Sequence, residues 1–534
     1  MNNKGYKAIK FLILAFLLVS VVFPLVNLLL RIRWEDITAV CSSPQFGDMI
    51  KNSLLTTLTA TFLSVGLAML LAWCINRTNI RFRAIFSILF TLPMLIPSIS
   101  HGMGLVLLFG DNGLVTNLLG INIQLFGFCG IVIGSMLYSF PVAFLMLTDI
   151  LQYEDYTVYE SAQVLGLSKF QQFRTITLPN MRKPLISVIF AVFTMIFTDY
   201  GVPLVVGGKM MTLPVYMYRE VIGLMDFSKG AIIGVILLLP AVIAFIIDLK
   251  NKDSGNSSTI TKPYIVGKNK LRDGLSYVFC IVTILLISLP LLTFAYLSFV
   301  KQYPINMSFS FDNVKKSFDL GVGMYLINSL TIALLTALIG LAATYFTAYL
   351  TARSKKSFSN MTLHLISMVS LAIPGIVLGL SYVLFFKGSL IYGTLIILVL
   401  VNMVHFFASP YLLAYNSLNK FNENLEDVSA TLGISKIKML LDVYIPCTKE
   451  TMLEMFSYLF VNAMVTISAV SFLANFKNLP LALLIPQFDS QSLIEATAFI
   501  SIVIFGVNIL LKLAIYLIRR RIHVQEAVKG GESA

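Results

Sequence analysis

The sequence predicts an all-α, polytopic membrane protein of about 12 transmembrane helices in two repeated halves. Three observations predict this fold class. Hydrophobic residues make up 57% of the 534 residues, and the mean hydropathy is +0.85. Only 12% of the residues are charged, against about 25% in soluble globular proteins. Finally, segments of the first half recur in the second half in the same order.

Apolar runs long enough to cross a bilayer, roughly 20 residues each, recur along the whole chain. Lipid offers backbone polar groups no water, so these runs should be helices, and their continuous rather than alternating hydrophobicity excludes a barrel. The candidate spans lie at about 9–30, 52–75, 84–108, 126–149, 184–206, 229–248, 274–298, 327–350, 361–386, 393–416, 452–474 and 496–518.

The distribution of basic residues predicts the orientation. If the N-terminus is cytoplasmic, 27 of the 39 Lys and Arg residues lie on the cytoplasmic side and eleven on the outer side. Basic residues concentrate in cytoplasmic loops, so both termini should be cytoplasmic. The formal net charge of +13 then reflects membrane orientation, and we expect no nucleic-acid partner.

Three segments recur in the same order. The run that begins "NSLL" at Asn52 returns as "NSLT" at Asn328, the "IPS" around Pro97 returns as "IPG" around Pro374, and the polar stretch around Gly166 returns around Gly433. Repeats of this kind are typical of transporters built from two related halves. We therefore predict a first half at 1–250 with a five-helix core from about 52, and a second half at 274–534 with a core from about 327. The Ser- and Gly-rich segment 251–273 should be a cytoplasmic linker.

The polar stretch between the fourth and fifth spans of each half predicts a helical hairpin. A Gly follows a short helical segment, where a left-handed turn favours Gly. A Ser two residues later is placed to cap the next segment, and a Pro should stop that segment before the chain re-enters the membrane. The paired residues are Gly166 and Gly433, Ser168 and Ser435, and Pro179 and Pro446.

These hairpins resemble the cytoplasmic "EAA" loops of binding-protein-dependent type I ABC importer permeases, in which Glu-Ala-Ala, a later Gly and an Ile-x-Leu-Pro form two short helices. The matching residues are Glu160, Ala162, Gly166, Ile176, Leu178 and Pro179 in the first copy, and Glu426, Asp427, Gly433, Ile445 and Pro446 in the second. In the first copy, Ser161 replaces the first Ala of the family's pattern. In the second copy Asp427, Val428 and Ser429 stand in place of Glu-Ala-Ala, and Glu426 is an alternative acid.

The resemblance implies a fused, double-length permease in a bacterial inner membrane. It implies as partners two copies of an ABC ATP-binding subunit, which dock on the hairpins, and an extracellular or periplasmic solute-binding protein. The chain itself has no G-x-x-x-x-G-K-[ST] loop and no metal-type or triad arrangement of its four histidines. We therefore expect no enzymatic activity, no cofactor and no metal site here, with ATP-Mg bound by the partner subunit.

Polar residues inside the spans are the candidates for the translocation pathway, because placing them in lipid is costly. Asp199 is the main candidate, and Thr466 occupies the matching position of the second half. Pro and Gly residues at the second core helix of each half predict kinks whose freed carbonyls face protein or a water-filled cavity. The other candidates are Pro97, Ser98, His101, Thr198, Tyr200, Pro374, Ser381, Asn462 and Ser468.

The substrate is less sharply predicted than the class of transporter. The segments "TDYGVPLVVGG" and "MVTISAVSFLANF" look most like permeases for 2-aminoethylphosphonate and for ferric iron. The sequence favours a phosphonate, with ferric iron as the alternative and thiamine or polyamines behind them. An ion-coupled secondary transporter is the alternative of another class, although it would need no paired hairpins and should carry more buried charge than Asp199.

Overall fold

The computed structural model describes residues 3–120, 123–252, 262, 264–354, 357–422 and 424–531. Ten residues of the predicted linker, 253–261 and 263, therefore lie outside the described residues. The first half consists of α1 (Asn3–Leu17), a π-helical segment (Leu18–Val22), α2 (Phe23–Leu30), α3 (Trp34–Cys41), α4 (Pro44–Arg77), α5 (Arg83–Thr91), a 3₁₀ turn (Leu92–Leu95), α6 (Ser98–Phe109), α7 (Leu114–Leu119), α8 (Phe128–Gln152), α9 (Tyr156–Val164), α10 (Lys169–Gln172), a π-helical segment (Phe173–Thr177), α11 (Leu178–Phe197), α12 (Gly201–Val206), α13 (Leu213–Leu224) and α14 (Phe227–Lys252).

From α17, the counterpart of α4, the second half follows the same order of core helices. It consists of α15 (Lys270–Leu297), β1 (Val300–Gln302), β2 (Asn306–Phe309), α16 (Asp312–Asp319), α17 (Val322–Ala352), α18 (Phe358–Val369), a 3₁₀ turn (Ser370–Ala372), α19 (Gly375–Phe386), α20 (Leu395–His405), α21 (Ala408–Asn419), α22 (Leu425–Thr431), α23 (Lys436–Met439), a π-helical segment (Leu440–Tyr444), α24 (Ile445–Cys447), α25 (Lys449–Val465), a 3₁₀ turn (Leu481–Leu483), α26 (Leu484–Ser490) and α27 (Ile494–Gly531). The all-α, two-part fold class is thus confirmed.

Fewer helices than expected cross the membrane unbroken. In the described part of the chain nine helices are long and apolar enough to span, or eleven if each of two bent pairs counts as one span. The expected span at 452–474 is helical only in α25, because the backbone becomes extended at Thr466 (φ −70°, ψ 135°). The hydropathy of 452–474 is high enough for a span, but it does not reveal this break.

The second core helix is interrupted in both halves at the predicted prolines. Pro97 lies between a 3₁₀ turn and α6, and Pro374 lies between a 3₁₀ turn and α19. In the second half the two pieces meet at 109°. A carbonyl freed at the first break, that of Leu95, accepts a 2.9 Å hydrogen bond from Asn508 Nδ2 of α27. The break therefore faces protein, as buried irregular backbone in a membrane must.

The repeated "NS" dipeptide fixes the outer part of each core. Ser53 Oγ accepts a 2.8 Å hydrogen bond from the amide of Leu213, and Ser329 Oγ accepts a 2.7 Å hydrogen bond from the amide of Leu481. Each serine on a first core helix thus satisfies a backbone donor at the start of a helical segment between the fourth and fifth core helices. This satisfaction of orphan amides accounts for the recurrence of the motif.

The leading helix of each half packs on the other half. The first leading helix, α1–α2, contacts α19 through α2, and the second leading helix, α15, contacts α6 and α4. Tyr382 Oη donates a 2.7 Å hydrogen bond to the carbonyl of Ser20. At the other contact, Gly104 lies so close to Pro290 that a Cβ at Gly104 would stand 2.6 Å from the Pro290 Cβ. The halves are therefore joined by an exchange of helices as well as by the linker.

An antiparallel two-stranded sheet, β1 with β2, follows α15 and was not predicted. It lies at the end of the molecule opposite the polar hairpins, between the second leading helix and α17. We call the two ends the hairpin side and the opposite side.

Candidate functional site

Two helix breaks meet at Asp199. The residue follows the end of α11, and its carboxylate is buried (8% exposed). Asp199 Oδ1 accepts a 2.6 Å hydrogen bond from Ser98 Oγ, at the start of α6, and Oδ2 accepts a 3.0 Å hydrogen bond from the amide of Val202. Both carboxylate oxygens thus accept hydrogen bonds, one from a side chain and one from the backbone.

The second half builds the same contact with the residues exchanged. Ser98 of the first half touches Gly201, and a Cβ at Gly201 would also lie 2.8 Å from Ile467 Cδ1 of the other half. The counterparts of Ser98 and Gly201 are Gly375 and Ser468. Here the serine comes from the segment after the fourth core helix and contacts Gly375. Each contact thus has room for only one side chain. Gly201 stands at the junction of the two halves, through its approach to Ile467.

A small polar cavity adjoins Asp199 in the first half. The space open to the centre of a water molecule is about 10 Å³, the size of a single-water site. Most of its polar lining consists of hydroxyl groups, from Ser53, Thr56, Thr57, Ser135 and Thr212. The counterparts of Thr56 and Thr57 in the repeat are Ile332 and Ala333, so the cavity's polarity is particular to the first half.

In the described part of the chain, no basic side chain forms an ion pair with Asp199. The same part of the chain holds no group of three His, Cys, Asp or Glu residues that could hold a metal ion. The polar centre is therefore a single carboxylate surrounded by hydroxyl groups.

The other predicted pathway residues include two buried aromatic side chains and three polar side chains that bond within their own helices. Tyr200 is fully buried and stacks on Tyr218, with ring centroids 4.7 Å apart, and His101 is buried beside Tyr138, with ring centroids 6.1 Å apart. Three others bond to carbonyls of their own helices instead: Thr198 Oγ1 to Thr194 (2.8 Å), Ser381 Oγ to Leu378 (2.7 Å) and Asn462 Nδ2 to Tyr458 (2.8 Å).

Sequence reasoning missed Tyr138 and His405. They occupy equivalent positions of α8 and α20, in the register that pairs Gly166 with Gly433, and both are near the central breaks. His405 Nε2 would lie 3.0 Å from a Cβ at Gly375. The register of the hairpins, applied to the preceding helix, would have paired them.

The hairpins have the predicted local structure. Gly166 (φ 75°) and Gly433 (φ 68°) are both left-handed. The amide of Leu167 donates a 3.0 Å hydrogen bond to the carbonyl of Ala162, and the amide of Ile434 donates a 2.8 Å hydrogen bond to the carbonyl of Ser429. These are the bonds of a Schellman turn. The serine caps also form: Ser168 Oγ accepts from the amide of Gln171, and Ser435 Oγ accepts from that of Lys438, each at 3.3 Å.

The expected stop at Pro179 is wrong, because the second segment of the first hairpin continues through a π-helical segment into α11, with Pro179 in its first turn. In the second hairpin the π-helical segment leads into α24, which ends at Cys447, one residue after Pro446, and α25 begins at Lys449. Pro is tolerated in a first helical turn because the amide there has no partner to lose. Leu178 is exposed, while Ile176 and Ile445 are half-buried.

The structure separates the two acids of the second hairpin. Asp427 is the counterpart of Glu160, whereas Glu426 is paired with Arg353. Burial disfavours the charged form of Glu426, but hydrogen bonds from Arg353 and Tyr444 outweigh this and hold the pKa of Glu426 below its usual value. In the first hairpin Glu160 forms an ion pair with Lys262 of the predicted linker.

A two-part helical membrane protein with a polar centre and two matched hairpins is a double-length permease. The family model for the inner membrane component of binding-protein-dependent transport systems matches residues 64–249 and again 340–524. The chain belongs to this family, and it is a type I ABC importer permease of the multi-pass inner-membrane class, not a member of an enzyme family.

The chain is similar to two iron-transport permeases. It is 29% identical to a putative ferric transport system permease protein of Haemophilus influenzae, over 76% of this chain and 67% of the relative. It is 27% identical to a ferric transport system permease protein of Actinobacillus pleuropneumoniae, over 82% of this chain and 66% of the relative. The chain thus spans about two thirds of the length of these relatives.

A solved structure of a bacterial alginate ABC transporter, in complex with a periplasmic protein bound to an alginate pentasaccharide, is 19% identical. It covers 48% of this chain and 96% of its own, with a TM-score of 0.38.

Proposed function

We propose that this permease carries ferric iron into the cell. Two relatives named as ferric transport permeases match more than three quarters of the chain, and this similarity is the observation that carries the proposal. The prediction of a phosphonate substrate finds no comparable support.

The chemistry of the central site favours a cation. Asp199 is a buried carboxylate with hydroxyl groups beside it, and none of the described ion pairs supplies it with a cationic partner. Oxygen donors suit hard metal ions. A phosphonate would instead need basic donors, as phosphate groups do in proteins. A carboxylate without a basic neighbour would repel the phosphonate group.

Separate ATP-binding subunits drive this transport in the proposed complex. Two copies would dock, one on each hairpin, with Glu160 and Asp427 as the matching acids, and a periplasmic binding protein would deliver the substrate from the opposite side. The support is the shared register, turn and cap of the two hairpins. Both termini are cytoplasmic in this arrangement, as the basic residues predict.

Uptake measurements test the substrate. Cells that produce the permease with its ATP-binding subunit and binding protein are supplied with radioactive ferric citrate or radioactive 2-aminoethylphosphonate. We expect iron uptake that requires the permease, and none of the phosphonate. Permease-dependent uptake of the phosphonate without iron uptake would overturn the proposal.

Co-purification tests the docking of the ATPase. Proline cannot adopt the positive φ of Gly166 or Gly433, so the pair of substitutions Gly166→Pro and Gly433→Pro should abolish recovery of the ATP-binding subunit with the membrane-inserted permease. Gly267→Pro is the control, since a Cβ there meets nothing within 4 Å and φ is not positive. Normal recovery from the double variant would refute the docking assignment.

A further inference from the structure

Arg77 and Arg353 hold equivalent positions at the hairpin-side ends of the first core helices, α4 and α17, in the register that pairs Asn52 with Asn328. Both arginines are buried (4% and 9% exposed). A buried charge must be paired, because its desolvation is costly. Arg77 pairs with Glu154, and Arg353 pairs with Glu426. We call these pairs the first latch and the second latch.

The first latch connects α4 to both arms of the first hairpin. Glu154 Oε2, which accepts from Arg77, also accepts a 2.7 Å hydrogen bond from Tyr159 Oη of α9. Tyr159 Oη lies 2.7 Å from Thr177 Oγ1, at the end of the π-helical segment. The ring of Tyr264 covers the Arg77 guanidinium, whose Cζ is 3.7 Å from the ring centroid. The first latch is therefore enclosed by protein.

The second latch connects α17 to both arms of the second hairpin. Arg353 Nε donates a 2.7 Å hydrogen bond to Glu426 Oε1 of α22. It also donates a 3.2 Å hydrogen bond to Tyr444 Oη, at the end of the second hairpin's π-helical segment. Tyr444 Oη itself donates to Glu426 Oε1. The remaining guanidinium donors reach two carbonyls before the hairpin, those of Phe421 (3.0 Å) and Asn422 (2.8 Å).

The two latches join a first core helix to both arms of a hairpin, but they use different residues to do so. Within the register of the hairpins, Glu426 is the counterpart of Tyr159, and Tyr444 is the counterpart of Thr177. Only the arginine keeps its identity and position in both halves. The preserved feature is thus the link itself, a buried guanidinium that ties a core helix to a carboxylate and to both arms of a hairpin.

We propose that Arg77 and Arg353 are positioning residues that transmit movement of each hairpin to the first core helix of its half. This inference rests on the proposed docking of the ATPase on the hairpins. The alternative route runs from the hairpin into the fourth core helix, α11 or α25. That route passes through the π-helical segments, where the regular hydrogen-bond ladder is interrupted.

The packing of α4 and α17 makes them suitable receivers. α4 contacts α8 and α11, and α17 contacts α21 and α25, so the first core helix lies against two other core helices of its half. A hairpin that is latched to this helix moves with the core. An unlatched hairpin can move with its ATPase while the core remains in place.

The test measures movement on the opposite side while ATPase docking is monitored separately. The permease is purified with its ATP-binding subunit, its exposed cysteines are replaced by Ser, and spin labels are placed at Leu118→Cys and Leu390→Cys, which are both exposed. We expect Arg77→Met with Arg353→Met to retain the ATP-binding subunit. The ATP-driven change in the distance between the labels should fall at least threefold. Arg353→Lys with Arg77 intact should give an intermediate change.

Arg81→Met is the matched control, since Arg81 is exposed and lies just beyond the end of α4. It should leave the distance change at its full amplitude. A full-amplitude change in the double latch variant would overturn the inference. Loss of the ATP-binding subunit from that variant alone would also overturn it, because the arginines would then be docking residues. Failure of the unsubstituted permease to retain the subunit would contradict the proposed function instead.

Discussion

The Arg353 guanidinium lies between the end of the first core helix and the second hairpin, with its Nε 2.7 Å from Glu426 Oε1. Arg77 makes the corresponding contact in the first half, but its partner Glu154 precedes the hairpin rather than belonging to it. The two pairs also differ in exposure: the Glu154 side chain is 7% exposed and that of Glu426 is 26% exposed. This difference makes the energetics of the two latches separable.

Removal of either carboxylate should destabilise the permease, and more so in the first half. Breaking a buried pair leaves an uncompensated charge, at about 3–5 kcal/mol. We therefore expect Glu154→Gln to lower the free energy of unfolding by about 3 kcal/mol, and Glu426→Gln to lower it by less, because water can solvate Arg353 through the more open site. Thermal unfolding of the purified protein in detergent measures both. Equal losses, or a larger loss in Glu426→Gln, would contradict this ranking.

The second latch should fail in acid. The pKa of Glu426 is lower in the folded protein than its ordinary value of 4.5, so the ionised carboxylate adds stability that is complete above about pH 4.5 and is lost as the pH falls through the lowered folded pKa. The stability difference between the unsubstituted protein and Glu426→Gln should accordingly stay constant from pH 7 to pH 5 and shrink below that. A difference that grew in acid would reverse the sign and refute the latch geometry.

The close contact of Gly375 with Ser468, within the second half, should have room for only one side chain. Gly375→Ala would place a Cβ against Ser468 Oγ and 3.0 Å from His405 Nε2. Overpacking of this kind costs about 1–3 kcal/mol. Adding Ser468→Gly removes the first of these contacts, so the double variant should recover part of the loss. Thermal unfolding again provides the measurement.

Gly66→Ala is the matched control for this substitution. Gly66 lies within α4, and a Cβ there would meet nothing within 4 Å. Ala should therefore be neutral or stabilise the helix by up to about 1 kcal/mol. If Gly375→Ala behaved like Gly66→Ala, the close approach of Gly375 to Ser468 would be wrong.

The hairpins were predictable because their signals are local. The left-handed glycines and the serine caps lie within one short polar stretch of each half, and the structure has each of them. The breaks at Pro97 and Pro374 were predictable for the same reason. The latches were not, since Arg353 is 73 residues from Glu426 and the partner of Arg77 is not at the equivalent position. The leading helices also carry no local signal of which half they will contact.

Because the leading helices are exchanged, the permease should assemble from two separate chains. Residues 1–255 and 256–534, produced together, should co-purify as a stable pair, with the contact of Tyr382 with Ser20 and that of Gly104 with Pro290 holding them together. A first chain that begins at residue 44 lacks α1–α3 and should be recovered with the second chain at a lower yield. Separation of the two full-length halves during gel filtration would contradict the exchange.

Asp199→Asn distinguishes a role in transport from a role in capping. Asp199 accepts hydrogen bonds from Ser98 Oγ and from the amide of Val202. If its role were purely structural, its replacement would mainly lower the free energy of unfolding, by about 1 kcal/mol for a lost cap. A carboxylate that faces a cation during transport contributes its charge instead, and Asn removes that charge at nearly constant shape. We expect radioactive ferric iron uptake to fall at least tenfold in Asp199→Asn, while the melting temperature changes little.

Ser98→Ala is the comparison: it leaves the charge in place and removes one hydrogen bond, so it should cost about 1 kcal/mol of stability and reduce uptake by less than threefold. Equal effects of the two substitutions on uptake, in step with their melting temperatures, would assign Asp199 to capping alone.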